Sequence, residues 1–325
     1  KLLDDGSTVP FIARYRKEAT GDMKDEQLRD LNDKLIYVRN LIKRQNEIKN
    51  SIEEQGKMTP ELSLAIDKVE KLQELEDIYL PYKQKKRTRA MIAKEKGLEP
   101  LAQFILKQED SSEKLEDIAL KYLNDEVTSS DEALAGASDI IAETISDSAD
   151  IRAKLRQHLW QTSSLSITRD KEADSDEAFL MYEDYTEPIK HLPSHRILAI
   201  NRGESKDILK VKLISDIDKD IAIITKFILK QNSPYKEFLT NAIIDAYKRL
   251  IFPALEREIR NQLTETAQTQ AIHVFASNLK QLLLQAPLAG YTVIGLDPGY
   301  RTGCKMAIVD ATGQVLDHGV LYITM

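Results

Sequence analysis

The chain has 325 residues, 42% of them hydrophobic and 30% charged, with a formal net charge of −7 and a single cysteine. One cysteine excludes an intramolecular disulfide, and no apolar run approaches the ~20 residues that a membrane-spanning helix needs. The composition therefore predicts a cytoplasmic protein that does not enter a membrane, and the negative charge excludes a uniformly basic surface that coats nucleic acid.

The charge is distributed unevenly along the chain. Residues 1–107 carry a net +3, residues 108–220 carry −12 and residues 221–325 carry +2. Because a negative surface repels polyanions, we expect any nucleic-acid site to lie outside the acidic middle third. That third is suited instead to repelling nucleic acid or to facing a basic partner.

A short basic segment, TVPFIARYRKEATG, lies near the start of the chain. Its apolar residues Phe11, Ile12 and Tyr15 can pack against a core while Arg14 and Arg16 point elsewhere. An arginine in such a place can contact a phosphate or pair with a neighbouring carboxylate. Both interpretations fit Arg14 and Arg16, and the sequence leaves them open.

Two amphipathic helices follow the first basic segment. Apolar residues recur at intervals of three and four over residues 25–55. Thr59 and Pro60 are a typical N-cap and first helical residue for a second helix over residues 60–81. We expect the two helices to pack as an antiparallel pair. The predicted seam consists of Leu28, Leu31, Leu35, Val38, Leu41, Ile42, Ile48, Ile52, Leu62, Ile66, Val69, Leu72 and Leu75.

The strongest local charge signal is the run PYKQKKRTRAMIAKEK over residues 81–96, with seven lysines or arginines and one glutamate. Such a run is often a solvated helix face. Cations that flank a helix can also bind phosphates without reading bases. The sequence does not decide between these interpretations. The candidate phosphate-binding side chains of the run are Lys83, Lys85, Lys86, Arg87 and Arg89.

The acidic middle third is predicted to be helical, and a small β-hairpin is predicted next to it. Ser129 and Glu132 form a capping-box pattern before a helix over residues 134–145. Two runs rich in apolar residues, 196–201 and 208–214, are predicted to be strands joined by a short turn. The expected result is a helical region that carries one hairpin.

A long helical pattern then leads towards the end of the chain. It covers residues 235–285 and contains Pro253. Proline lacks a backbone N–H and clashes with the preceding turn, so Pro253 should kink this helix or split it in two. We expect the helix to connect the helical region with the last segment.

The last segment, residues 292–323, contains three β-type runs separated by two turn compositions. This pattern predicts a three-stranded antiparallel meander. Asp297 ends the first strand, and Pro298 favours extended backbone there. A carboxylate in this place is typical of RNase H-like nucleases and of actin-like ATPases, whereas a solvated turn aspartate is the ordinary alternative.

Several long motifs resemble, in order, the Tex family of bacterial transcription accessory proteins. The meander carries GLDPGYRTGCK and AIVDATGQVLD, and four motifs precede it. These are TVPFIARYRKEATG, LEDIYLPYKQKKRTRAMIAKEKGLEPLA, SHRILAINRGE and DAYKRLIFPALEREIRNQLTE. The resemblance runs nearly end to end. It implies a helix-turn-helix-like module around the basic run and the opening of an RNase H-like, resolvase-like domain at the meander.

The predicted fold is mainly α, with three regions. Residues 1–193 are expected to form a multi-helix region with the helix-turn-helix-like module, and residues 194–290 the small β-hairpin and the long connecting helix. Residues 291–325 are expected to begin an RNase H-like α/β domain. The resemblance also implies a fragment of a longer protein, whose remaining parts include the rest of this domain, helix-hairpin-helix elements and an OB-fold RNA-binding domain.

The function implied by the resemblance is that of a non-catalytic transcription accessory factor near RNA polymerase. We expect weak, sequence-independent binding of RNA or DNA, with no cofactor and no bound metal. The 5 histidines show no metal-ligand spacing. A metal-dependent nuclease or resolvase that uses Asp297 in the full-length protein is the alternative. An actin-like ATPase with residues 299–303 near phosphate ranks third, because its later nucleotide-binding elements are missing.

Overall fold

The computed structural model describes residues 1–84, 86–109, 113–170, 172–173, 177–286, 288, 290–299 and 303–322. The chain is mainly helical, with two small antiparallel three-stranded sheets, as predicted. It divides into two compact units, Lys1–Thr264 and Glu265–Met325. No helix in the described part of the chain has the length and apolar content that a bilayer crossing needs. The predicted domain boundaries at residues 193 and 290 stay predictions.

Five helices begin the first unit, and local capping explains two of their starts. The Thr8 and Thr59 hydroxyls accept hydrogen bonds from backbone N–H groups in the first turns of α1 and α4. The predicted single helix over residues 60–81 is wrong, because extended backbone at Val69 and Lys71 divides it into α4 and α5. The helices are α1 (Val9–Tyr15), α2 (Lys17–Thr20), α3 (Asp25–Glu54), α4 (Pro60–Lys68) and α5 (Leu72–Tyr79).

The predicted apolar seam is confirmed only in part. The C-terminal half of α3 packs against α4 and α5 through a buried cluster, whereas Leu31, Val38 and Ile42 are exposed. A helix of 30 residues such as α3 spans about 45 Å, whereas a helix of nine residues such as α4 spans about 14 Å. The short partners therefore cover only part of the stripe. The buried cluster consists of Leu41, Ile48, Ile52, Ile66 and Leu75.

Helix α9 is the central element of the middle third, and it packs against α6, α7, α8 and α13. Gly136 permits the close approach, since a Cβ there would lie 2.4 Å from the Leu98 side chain. Ser129 caps α9 as predicted, although the Glu132 carboxylate accepts from Thr128 and not from Ser129. The helices are α6 (Arg89–Glu95), α7 (Glu99–Lys107), α8 (Leu115–Leu120), α9 (Ser130–Ser146), α10 (Ala149–Thr162), and α13 (Lys236–Asp245).

The predicted hairpin is replaced by a three-stranded sheet. Its strands are β1 (Ser164–Arg169), β2 (Tyr185–Pro188) and β3 (Leu209–Ile214), in the order β2-β1-β3. The predicted strand over residues 196–201 is wrong, because this segment belongs to helix α11 (Ser194–Ser205). Ile197 and Ile200 are buried at a helical spacing of three, so packing selects the helix. The predicted second strand is confirmed as β3.

The predicted long helix is confirmed, because no non-helical residue interrupts it between residues 236 and 283. Helix α12 (Ile217–Ile228) precedes α13, and α13 continues through a π-helical segment (Ala246–Ile251) into α14 (Phe252–Leu283). Pro253 lies two residues after the end of this wider turn. A π-turn is one way in which a helix accommodates a residue that cannot donate to the preceding turn. The predicted kink or split at Pro253 is thus a local change of helix type.

The sheet of the second unit confirms the predicted meander. Its strands are β4 (Val293–Asp297), β5 (Cys304–Val309) and β6 (Val315–Leu321), all antiparallel, in the order β4-β5-β6. Gly313 has φ +87° in the second turn, a conformation that glycine adopts without strain. In the same turn, the Asp310 side chain accepts hydrogen bonds from the Thr312 hydroxyl and from the N–H groups of Gln314 and Thr312, and these bonds lower the pKa of Asp310.

Candidate nucleic-acid interface

The basic run begins in a turn and ends in a short helix. A 3₁₀ turn (Leu80–Tyr82) follows α5 directly, and the Lys83 N–H donates to the carbonyl of Tyr79 at 3.0 Å. Helix α6 starts where the Thr88 hydroxyl accepts from the Met91 N–H at 3.1 Å. The cations of the run therefore lie on a connection that is fixed at both ends. Lys85 lies outside the described residues.

The first cations of the run are exposed and largely free. Among the described residues, no carboxylate lies within ion-pair distance of Lys83, Lys86 or Arg89. Arg87 pairs with Glu95 at 2.8 Å, but the two side chains are 70% and 56% exposed. An ion pair this exposed contributes little. These side chains are therefore available to an anionic ligand.

The last cations of the run have a structural role. Lys96 donates to Glu132 of α9 at 2.7 Å, and Lys94 lies 3.5 Å from Glu99. The hydrogen bond from Lys96, and then that from Thr128, lowers the pKa of Glu132. The two interpretations of the basic run thus apply to different parts of it: Lys83, Lys86 and Arg89 face solvent, and Lys96 ties α6 to α9.

The helix-turn-helix-like module stays a prediction, and the two helices that could form it are α6 and α7, which are joined by residues 96–98. In such a motif the second helix reads bases through its N-terminal side chains. Helix α7 begins instead with Glu99 and Pro100, and a carboxylate in the first turn would repel DNA phosphates. The exposed side chains of α7 are therefore poorly suited to duplex base reading.

Arg14 and Arg16 lie apart from the basic run in the fold. Both are exposed at the end of α1, and α1 packs against α3, whereas α6 packs against α9. Arg16 lies 3.8 Å from Glu18, and no described carboxylate pairs with Arg14. The contacts therefore assign these arginines and the run to different helix pairs, and a shared phosphate-binding surface remains a prediction.

Asp297 is exposed at the end of β4, where the register places it opposite Lys305 of β5. The described residues contain no group of three or more histidines, cysteines, aspartates or glutamates that could hold a metal ion. A two-metal site needs several such ligands. The described part of the chain therefore offers one carboxylate at this position and not an assembled metal centre.

Sequence reasoning missed a buried ionic network that joins α5, α10 and α14. Arg152 donates to Asp77 at 3.0 Å and to Glu258, and Arg156 lies 2.8 Å from Asp77 and 2.9 Å from Glu258. The side chains of Arg152 and Asp77 are only 6% and 5% exposed. The available signal was two arginines four residues apart on one face of a predicted helix, but their partners lie about 75 and 100 residues away.

A second buried cluster surrounds Asp220 in α12, which is fully buried. The hydroxyls of Tyr247 and Ser215 donate to its Oδ2 atom, and the His158 Nε2 atom lies 3.4 Å from Oδ1. Burial, and then the hydrogen bond to Asp220, raises the pKa of Tyr247. The cluster therefore joins α10, α12 and the π segment within the first unit.

Comparison with known families covers most of the chain in three pieces. Residues 1–53 match the family described as Tex-like protein N-terminal domain, and residues 110–275 match Tex central region-like. Residues 291–325, which include the meander, match the Tex protein YqgF-like domain. The matches follow the chain order that the motifs predicted.

Curated relatives match almost the whole chain. An uncharacterized protein of Bacillus subtilis, YdcI, is 48% identical over 99% of this chain and 45% of its own length. The transcriptional accessory protein Tex of Neisseria gonorrhoeae is 42% identical over 99% of this chain and 43% of its own length. The S1 RNA-binding domain-containing protein 1 of Homo sapiens is 33% identical, with 99% and 34% covered. The chain thus spans less than half the length of these relatives.

Proposed function

The chain belongs to the Tex family, and we propose that it is a non-catalytic, nucleic-acid-binding part of a transcription accessory factor. It binds RNA or DNA weakly, through phosphates and without regard to base sequence. Its site consists of the exposed cations Lys83, Lys86 and Arg89 of the basic run. In the whole protein this contact holds nucleic acid near the transcription machinery.

The names of two relatives support the biological setting. One is called a transcriptional accessory protein and another an S1 RNA-binding domain-containing protein. Because the chain covers 43% and 34% of these proteins, their whole activity does not transfer to it directly. Nucleic-acid binding is the part of that activity that the exposed cations of this chain support.

The observation that carries the proposal is the exposure of Lys83, Lys86 and Arg89 without a carboxylate partner among the described residues. A cation that is already paired must break its ion pair before it binds a phosphate. A free cation has no pair to break, and it releases counterions from the nucleic acid when it binds. The acidic middle third opposes this attraction. We therefore expect dissociation constants in the non-specific range, about 10⁻⁴–10⁻⁶ M at physiological salt.

A charge-matched pair of variants tests the proposal. Lys83, Lys86 and Arg89 are replaced together by Gln, and the control replaces Lys210, Lys212 and Lys226, which are also exposed. Each variant removes three positive charges. In fluorescence-anisotropy salt titrations the first should weaken binding for every base sequence and flatten the log–log salt slope by about 0.7–0.9 per lost contact, while the control should change neither strongly.

Two results would contradict the proposal. Equal losses in the two variants would mean that only net charge matters and that the basic run is not a site. An unchanged affinity combined with a lower melting temperature would mean that the run stabilises the helices and does not bind phosphates. A melting curve is therefore recorded beside each titration.

A further inference from the structure

We propose that an exposed apolar stripe on α3 binds an acidic amphipathic helix of a partner protein. The stripe consists of Leu31, Leu35, Val38 and Ile42, and we call it the α3 seam. Leu31, Val38 and Ile42 are 49%, 40% and 50% exposed, and Leu35 is half-buried. Neighbouring apolar side chains that face solvent mark a surface for another protein. The inference does not depend on the proposed function, because the basic run lies on the turn after α5 and on α6.

The spacing of the α3 seam suits another helix. Leu31 and Leu35 are four residues apart, and so are Val38 and Ile42, so the seam forms two apolar ridges on one face of α3. A second helix packs on such a face by inserting its own side chains between the ridges. An extended segment presents its side chains with a period of two and does not match this spacing. The occupant is therefore a helix with an apolar stripe of its own.

Both ends of this face are covered within the chain, and the stretch between them is open. Beyond the seam, Gln45 is buried, and its side chain donates to the carbonyls of Ile66 at 2.8 Å and Val69 at 3.2 Å. Before the seam, Leu28 is buried, and α1 packs against α3. The open stretch over residues 31–42 is about 16 Å long, and a helix about 10 Å across can lie over it at a crossing angle.

The charged side chains beside the α3 seam are positive. Within residues 31–42, Lys34 and Arg39 lie within about a quarter turn of the seam, whereas Asp33 lies on the opposite face of the helix. Lys34 is exposed, and no described carboxylate pairs with it. Arg39 pairs with Asp4 at 2.7 Å, but both side chains are about half exposed, so the pair is weak and other guanidinium N–H groups stay available.

Helix α1, which packs against α3, adds a third cation and more apolar surface. Arg14 is exposed, and no described carboxylate pairs with it. Phe11 and Tyr15 are 42% and 64% exposed, and their ring centroids lie 5.3 Å apart. A helix with an apolar stripe and carboxylates beside it would bury these apolar groups and pair with the cations, and such electrostatic complementarity sets which partner is accepted.

Two other occupants fit this surface less well. A second copy of the chain would bring its own Lys34 and Arg39 towards the same cations, and like charges across an interface disfavour the contact. A nucleic acid would meet the cations but leave the seam uncovered, because leucine, valine and isoleucine side chains are not the aromatic surfaces on which bases stack. An acidic amphipathic helix complements both the charge and the apolar stripe.

The test uses a fluorescein-labelled synthetic helix of about 18 residues, or five turns, with leucine at every third or fourth position and glutamate and alanine elsewhere. The chain has a net charge of −7, so its overall field repels this peptide and binding reports a local site. A peptide with serine in place of leucine is the control. Fluorescence anisotropy should show saturable binding of the leucine peptide and about tenfold weaker binding, or less, of the serine peptide.

A matched pair of double variants tests the apolar part of the site. Leu31→Ser with Ile42→Ser should weaken binding of the leucine peptide about tenfold or more, because two side chains no longer bury apolar surface. The control, Leu120→Ser with Ile214→Ser, changes the same residue types at positions that are 52% and 43% exposed. It should change the affinity by no more than about twofold.

A second pair of variants tests the charges. Lys34→Gln should weaken binding of the leucine peptide about twofold to fivefold, as the loss of one exposed ion pair does. Lys43→Gln is the control, because Lys43 is 78% exposed on the same helix but lies further round it from the seam. All these positions are exposed, so the melting temperatures should stay unchanged, and a melting curve of each variant excludes a folding defect.

Each contrary result has a definite meaning. Equal binding of the leucine and serine peptides, or equal losses in the seam variant and its control, would overturn the proposal. A dimer in sedimentation that Leu31→Ser with Ile42→Ser dissociates would also overturn it, because the seam would then join two copies. If the full-length protein fails to bind the peptide although this chain binds it, the seam is covered within the longer protein and the proposal is likewise wrong.

Discussion

At the scale of single residues, the charged side chains of this chain fall into two classes that the sequence does not distinguish. Lys83, Lys86 and Arg89 face solvent, whereas Arg152 is buried between Asp77 and Glu258. Burial of an ion costs a large desolvation free energy, which only interactions with its partners offset. The same residue type is therefore open to solvent in one place and holds helices together in another.

The buried class gives the first prediction. Arg152→Ala leaves Asp77 without the guanidinium that lies 3.0 Å from it, and removal of one partner from a buried pair costs about 3–5 kcal/mol. We expect a loss of this size in the free energy of unfolding, measured by urea denaturation. The direct cause is that the Asp77 carboxylate stays buried and keeps only the Arg156 guanidinium as a partner.

Arg87→Ala is the matched control for this prediction. Its pair with Glu95 is also short, at 2.8 Å, but both side chains are mostly exposed, so its removal should cost no more than about 1 kcal/mol. Comparable losses in the two variants would contradict the view that burial, and not the number of ion pairs, sets the energy.

At the scale of elements, α3 shows how one helix carries more apolar residues than its partners can cover. Its apolar stripe continues along the whole helix, but α4 and α5 pack against the C-terminal half, where Ile48 is fully buried. Ile42, six residues earlier, is 50% exposed. Leu41, beside Ile42 in the chain, is nevertheless buried, so the side of the helix on which an apolar residue lies, and not its hydrophobicity alone, decides whether it joins the core.

This difference gives the second prediction. Ile48→Ala should lower the free energy of unfolding by about 2–5 kcal/mol, because it removes buried methyl groups and leaves a cavity. Ile42→Ala removes the same atoms from an exposed position and should change it by about 0.5 kcal/mol or less. Chemical denaturation of both variants measures the difference. A large loss of unfolding free energy in Ile42→Ala would show that the Ile42 side chain is covered in solution.

At the scale of the whole molecule, each of the two compact units contains a three-stranded sheet, but the apolar side chains of the two sheets are buried to different extents. In the first unit, Leu165 and Ile167 of β1 are buried. In the second, Ile294, Leu296 and Val315 are each 57–58% exposed. A three-stranded sheet owes its stability to the apolar face that it buries, so the second sheet should be much less stable than the first.

Hydrogen exchange tests this expectation. Amides of β4, β5 and β6 should exchange faster than those of β1 and β3, because local opening exposes backbone groups most easily where few apolar contacts must be broken. The paired strands of the first unit serve as the internal control within the same sample. Equal protection of the two sheets would contradict the prediction and would indicate that the second sheet is covered in solution.

The sequence alone determined the features that depend on neighbouring residues. Thr59 and Ser129 cap helices where their side chains predicted it, and the turn around Asp310 separates β5 from β6 as its composition indicated. The chain order of long motifs identified the family. These features need only local hydrogen bonds or a continuous pattern, so no knowledge of the fold was required.

Only the tertiary structure decided the features that depend on distant residues. The run from Arg196 to Asn201 is short and apolar, a pattern that suits a strand or a buried helix equally, and the packing of Ile197 and Ile200 selected the helix. Lys83 and Lys96 belong to one basic run, yet one is free and the other is paired because Glu132 lies 36 residues away along the chain and beside Lys96 in the fold. Burial and pairing are properties of the folded chain, and no local pattern encodes them.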